Sequence, residues 1–303
     1  MRTLIILLLA LITLAPASAR ELKVAVWNLS WLTQRPEASG ELPRGVVAKQ
    51  AEDIARLQAY TRMLKADVIA FEGVDGAEIA AQVFPPDLYR IHITQDAVLQ
   101  RTGFAIARDL NFTPHADLTA LDIYPNARFH LRSAADITLD VLGTKLRLLA
   151  VHLKAGCVRD KLEDQANPAC RTIARQIAPL QSWLAERQQE GAGFVLLGDF
   201  NRWLDAKDPF IDRLQQSAPL LRADAAMSSN CWGGGAFLDH ILIGGTARQM
   251  LAAGSFRELV YRETDQAMRQ HLSSHCPISI KLNLPEELAN SVPALIENGQ
   301  KQP

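Results

Sequence analysis

Asp199 and Asn201 stand two residues apart, just after the apolar run Phe194-Val195-Leu196-Leu197 and the single glycine Gly198. A short apolar run closed by a glycine reads as a buried strand opening into a loop, and a spacing of two puts both polar side chains on one side of the chain. A carboxylate there can hold a cation or orient a water. An amide can donate to an anion or steady the same carboxylate. Taken alone, the pair also fits an ordinary turn, which Asp and Asn favour. The same arrangement recurs, however. Asn28 follows Val24-Ala25-Val26-Trp27, Glu72 follows Val68-Ile69-Ala70-Phe71, and His152 ends Leu148-Leu149-Ala150-Val151. Asp239 and His240 interrupt Phe237-Leu238 and Ile241-Leu242-Ile243, and His275 precedes Pro277-Ile278-Ser279-Ile280. Carboxylates, amides and imidazoles at the edges of so many apolar runs predict strand ends converging on one cleft, where rigid elements aim polar groups at a common point.

The elements that would position them follow from periodicity and breakers. Strands are expected over 22–27, 67–71, 103–107, 136–141, 145–152, 194–197, 237–243 and 277–282. Apolar residues at helical spacing predict an amphipathic helix over 48–65. A second helix is expected over 171–188, kinked or broken at Pro179. Strands outnumber helices and helices fall between them, a pattern buried naturally by mixed sheets covered with helices. At 303 residues and 48% hydrophobic, with no internal repeat or long Gly/Ser linker, the chain suits one large domain with a sizeable core.

Residues 1–19 carry a positive start (Arg2), an apolar stretch from Leu4 to Leu14 and an Ala17-Ser18-Ala19 end, the pattern of a secretory signal peptide. The stretch is short for a membrane anchor. The expectation is an exported, periplasmic or secreted protein with no stable membrane insertion, acting as a monomer. Its domain would run over 20–284, followed by a loosely attached tail, 285–303. Without Arg2 the chain carries 31 basic and 33 acidic residues, so it lacks the overall basic excess of many nucleic-acid binders. A neutral total leaves room for a locally basic cleft from Arg101, Arg108, Arg128, Arg132, Lys154 and Arg159. Trp31, Trp203 and Trp232 lie near the polar motifs, where they could stack on bases, touch lipid head groups or pack the core rim. Four cysteines in an exported chain point to two disulfides. Three pairings are open, of which 157–170 and 231–276 are preferred. No Cys-x-x-Cys spacing supports zinc.

The ordered set Trp27-Asn28, Phe71-Glu72-Gly73-Val74, Val151-His152-Leu153-Lys154, Gly198-Asp199-Phe200-Asn201, Leu238-Asp239-His240-Ile241 and Ser274-His275-Cys276-Pro277 resembles the endonuclease/exonuclease/phosphatase superfamily with its deoxyribonuclease-I-like fold. The resemblance spans nearly the whole mature chain. It implies an α/β protein, a four-layer α/β/β/α sandwich of two mixed sheets flanked by helices, and divalent-metal-dependent hydrolysis of phosphoester bonds. A hard cation, Mg²⁺ first and Mn²⁺ or Ca²⁺ as alternatives, would offset phosphate charge through oxygen ligands. Glu72 and Asn28 would hold it. Asp199 would orient or deprotonate water, Asn201 would bind phosphate, and Asp239 would pair with His275, the general base or transition-state stabiliser. His152 would donate to the phosphate or leaving oxygen. A His here resembles deoxyribonuclease-like and sphingomyelinase-like members rather than the abasic-site repair branch, which usually has Tyr. Lys154 would add positive charge, and His240, on the opposite strand face, would be structural.

Two departures stand out. Phe71 replaces the Gln that usually precedes the Glu. Ser274 replaces the Asp of the usual Ser-Asp-His-x-Pro, which implies weaker cation affinity or altered geometry. In addition, a Cys shortly before the Asp239 motif resembles pancreatic-type deoxyribonucleases, but their partner Cys is missing from Arg202-Trp203-Leu204. The leading expectation is a nuclease or phosphodiesterase acting on a phosphodiester such as nucleic acid. A sphingomyelinase-like phospholipid or small-phosphoester hydrolase is the alternative, and a non-catalytic binding module with a degenerate site the alternative of another class.

Overall fold

A computed structural model describes residues 20–205 and 207–285. The expected signal peptide, 1–19, and all but the first residue of the expected tail, 285–303, lie outside the described residues. One six-stranded sheet contains β1 (Arg20–Leu32), β2 (Val68–Val74), β3 (Tyr89–Ile93), β4 (Arg101–Ala107), β11 (Arg257–Glu258) and β12 (Ile278–Leu284), in the order β11-β12-β1-β2-β4-β3. The other contains β5 (Asn111–Pro114), β6 (Ala135–Val141), β7 (Thr144–His152), β8 (Gly193–Asp199), β9 (Leu220–Arg222) and β10 (Asp239–Gly244), in the order β5-β6-β7-β8-β10-β9. Both sheets are mixed: β1 runs parallel to β2 and antiparallel to β12, while β7 runs parallel to β8 and β8 antiparallel to β10.

The central strands are apolar throughout because both of their faces are covered. Along β1, Leu22, Val24 and Val26 enter the core between the sheets. The alternate residues Ala25, Trp27 and Leu29 meet α1 (Ala51–Leu64) and α2 (Ala77–Val83) on the outer face. Along β8, Val195 and Leu197 face the inner core. Phe194 and Leu196 pack under α3 (Pro168–Glu190) and α4 (Pro209–Gln215). The result is the expected four-layer α/β/β/α sandwich. A short α5 (Met268–His271) leads into the loop that carries His275.

Pro179 does not end its helix. α3 runs through it from Pro168 to Glu190. The lost hydrogen bond falls at Arg175, which is exposed, while Ile173, Ile177, Leu180 and Leu184 hold the buried stripe against the sheet. Both preferred disulfides are present: Cys157–Cys170 ties the start of α3 to the loop after β7, and Cys231–Cys276 ties a 3₁₀ turn to the loop before β12.

Candidate active site

The registers bring the polar strand ends together. Asn28 pairs with Glu72 across β1 and β2. His152, Asp199 and Asp239 stand side by side across β7, β8 and β10. The two rows face each other across the sandwich, at a glycine. A Cβ on Gly198 (φ +136°) would lie 2.1 Å from the Val151 carbonyl and 2.9 Å from Glu72 Oε1, so this position accepts no side chain. Gly73 (φ +75°) is equally confined, against the Ser30 carbonyl and Asn28 Oδ1.

Asp199 is fixed from three directions. Asn28 Nδ2 donates to its Oδ2 at 2.7 Å, the Asn201 backbone N–H donates to Oδ1 at 2.6 Å, and Asn201 Nδ2 donates to Oδ2 at 3.1 Å. Asn201 Nδ2 also donates to the Leu153 carbonyl. Its amide is therefore engaged in positioning the carboxylate, one of the two roles open to it. Burial pushes the Asp199 carboxyl up to about 6, with Asp239 adding to the rise and His275 and the amide donors opposing it. His152 Nε2 lies 3.5 Å from Asp199 Oδ2. Burial, with Arg132 and His275 nearby, holds that imidazole well below its usual range, hence neutral.

His275 and Asp239 form the second pair, Nδ1 to Oδ2 at 2.6 Å. Burial disfavours the imidazolium, but the charge and hydrogen bond of Asp239, with Asp199 beyond, raise His275 to about 9. One donor atom each from Asp199, Asp239 and His275 lie within 4.8 Å of one another. The His275 loop is held tightly. Tyr261 Oη donates to the His275 carbonyl and Trp232 Nε1 to that of Ser273, each at 2.8 Å, and Ser273 Oγ donates to the Asn28 carbonyl.

Glu72 is wholly buried, and neither carboxylate oxygen has a hydrogen-bond partner. Burial, with Asp239 and Asp199 adding like charge, holds it well above the usual carboxylate range. Asp239 Oδ1 is likewise buried and unpartnered. Three buried carboxylates around one imidazolium suit a hard divalent cation with oxygen ligands. Where an acid would be usual, Ser274 Oγ shares a hydrogen bond with Ser30 Oγ at 2.9 Å, so that corner is neutral.

Lys154 Nζ donates to the Ala155 carbonyl, and Arg132 acts on it electrostatically. His240 is structural, its ring bridging Asp224 and the Arg202 carbonyl. Arg132, named from sequence only among scattered basic residues, reaches the Leu153 carbonyl and acts electrostatically on Asp199 and His152. Its place just before β6, the neighbour of the His152 strand, was the available signal.

No family model and no curated protein matches the chain significantly. Solved structures do. Truncated TDP2 from Caenorhabditis elegans superposes with a TM-score of 0.56 at 15% identity over 87% of this chain and 98% of that one. The 3′ phosphatase NExo from Neisseria, bound to a product DNA hairpin, gives 0.55 at 16% identity over 86% and 99%. An endonuclease/exonuclease/phosphatase from Bacteroides vulgatus gives 0.56 at 11% identity over 88% and 99%. With its paired six-stranded sheets, flanking helices and these likenesses over nearly the full length of both partners, the chain has the endonuclease/exonuclease/phosphatase, or deoxyribonuclease-I-like, fold.

Proposed function

We propose that this protein hydrolyses phosphodiester bonds with a divalent cation and a water activated at Asp199. The observation that carries the reading is Glu72, a buried carboxylate without a partner, beside the Asp239–His275 pair and the triply held Asp199. Glu72, with the adjacent Asn28 Oδ1, would hold the ion, Mg²⁺ first. Bound there, a cation offsets phosphate charge as Lewis acid. The chain's own residues supply the rest. Asp199, raised to about 6, accepts a proton from water near neutral pH while its amide donors keep it aimed. Asp239 fixes Nδ1–H of His275, leaving Nε2–H to donate to a phosphoryl oxygen. Neutral His152, with the Arg132 guanidinium acting on it, would stabilise anionic charge beside Asp199.

NExo bound to product DNA and the Danio rerio TDP2 complexed with single-strand DNA product support a nucleic-acid phosphodiester over a lipid. The two disulfides support export after removal of residues 1–19, leaving the domain 20–284. The test incubates the protein with DNA, RNA, sphingomyelin and bis(p-nitrophenyl) phosphate, with Mg²⁺ or Mn²⁺ and with chelator. Chelator-sensitive nucleic-acid cleavage is expected. Cleavage of sphingomyelin alone assigns the lipid reading, and no turnover with either metal ends the enzymatic one.

A further inference from the structure

Three depressions share walls, and the third of them opens on the acid–imidazole cluster. Trp31 belongs to the first and the second; Ser274 and Arg269 belong to the second and the third, which reaches Asp239 and His275. They form one groove that passes the reacting centre. Phe129 stands at its far end, 79% exposed, with the Arg128 guanidinium 5.3 Å from its ring centroid. No other large apolar side chain among the described residues is more than half exposed. Arg132 and Lys49 also wall the groove; each bonds a backbone carbonyl, with Asp199 and Asp96 acting on Arg132 and Asp53 on the buried Lys49. The wall carboxylates outside the cluster are already engaged, Glu41 with Arg35 and Glu258 with Ser229 and the Asn230 N–H.

We propose that this groove seats a single nucleic-acid strand, its bases stacked on Phe129 and Trp31 and its phosphates along Arg128, Arg132 and Arg269. The proposal rests on the phosphodiesterase reading and narrows its substrate. Rings and guanidinium groups in one groove match a chain that carries both bases and phosphates, and stacking on a ring face needs no particular base. A duplex hides its base faces from such rings. A lipid surface calls for a contiguous apolar patch, and Phe129 is an isolated ring beside cations.

Fluorescence anisotropy of a labelled, cleavage-resistant phosphorothioate decathymidylate in Mg²⁺ tests this, against a duplex of equal length and against sphingomyelin–phosphatidylcholine vesicles. The single strand is expected to bind tighter than the duplex. Phe129→Ala and Trp31→Ala should each weaken it about tenfold, the usual loss for one stacked base, and Leu221→Ala, exposed on β9, should not. Equal affinity for duplex, parental affinity in Phe129→Ala, or vesicle binding that depends on Phe129 would overturn the proposal. Turnover of bis(p-nitrophenyl) phosphate by the unaltered protein is followed separately. If it persists while strand binding fails, the groove assignment is wrong and the activity stands. If strand binding is as expected but no ester turns over, the activity reading is the one at fault.

Discussion

A carboxylate that is wholly buried and unpartnered, as Glu72 is, persists only as the neutral acid or beside a cation. Glu72→Gln keeps the shape and removes the proposed ligand. In the parent, Mg²⁺ at a hundredfold over its dissociation constant should stabilise the fold by about 2.7 kcal/mol. That corresponds to a rise in Tm of about 5–10 °C for a domain of this size. In Glu72→Gln the rise should vanish while Tm in chelator stays near the parent's, a contrast that calorimetry with and without Mg²⁺ reads directly. An equal Mg²⁺ shift in the variant would place the ion elsewhere. Asp199 is the proposed base, so Asp199→Ala should lower kcat by about 10²–10⁴-fold, the range for a positioned base, with an unchanged far-UV spectrum. A near-normal rate would remove Asp199 from the reaction.

Gly198 shows how an element, rather than a functional group, builds the cluster. Its backbone lets β8 pass against Val151 and brings Asp199 opposite Glu72 of the other sheet. Gly198→Ala adds a contact of 2.1 Å at φ +136° and should cost about 2–4 kcal/mol, lowering Tm by on the order of 10 °C; a fall under about 2 °C in a thermal scan would mean that β8 shifts freely. The same elements explain what was legible in the sequence. Asn28, Glu72, His152, Asp199 and Asp239 each sit at the end of a continuous apolar run, and such runs declare themselves because both strand faces are buried. The edge strands are less visible. β9 and β11 have three and two residues, too few to show a period, and β5 is largely exposed. β3, Tyr89-Arg90-Ile91-His92-Ile93, does alternate, but it is short and sits at a sheet edge. Arg132 follows Phe129-His130-Leu131, a stretch without period, so only the pairing of β6 with β7 brings it to the site. Spacing put Asn201 on the side of Asp199 but could not tell that its amide would turn inward to the carboxylate.

For the whole molecule, the cluster makes stability depend on pH. His275 holds its proton more tightly when folded, at about 9 against an ordinary 6.5. Its contribution is therefore complete below 6.5 and is lost as pH rises through about 9. Below 6.5 the buried neutral His152 works in the opposite sense, and above 8 so does Lys49, which burial lowers to about 8. Between about 6.5 and 8, chelator-treated protein should lose stability as pH rises, and Asp239→Asn should flatten that slope. Tm measured across this window in both proteins decides it, and a rising parental curve would contradict the pairing. The sheet order carries one more consequence. β1 lies between β2 and β12, with Arg20 opposite Leu284, so the first strand of the domain closes on the last. Asn28 and Glu72 are made early, whereas His275 arrives immediately before β12. A nascent chain thus owns the proposed cation ligands long before it owns the His275 imidazole. The cluster can be completed only when the final strand has been made, which keeps every shorter translation product from assembling it.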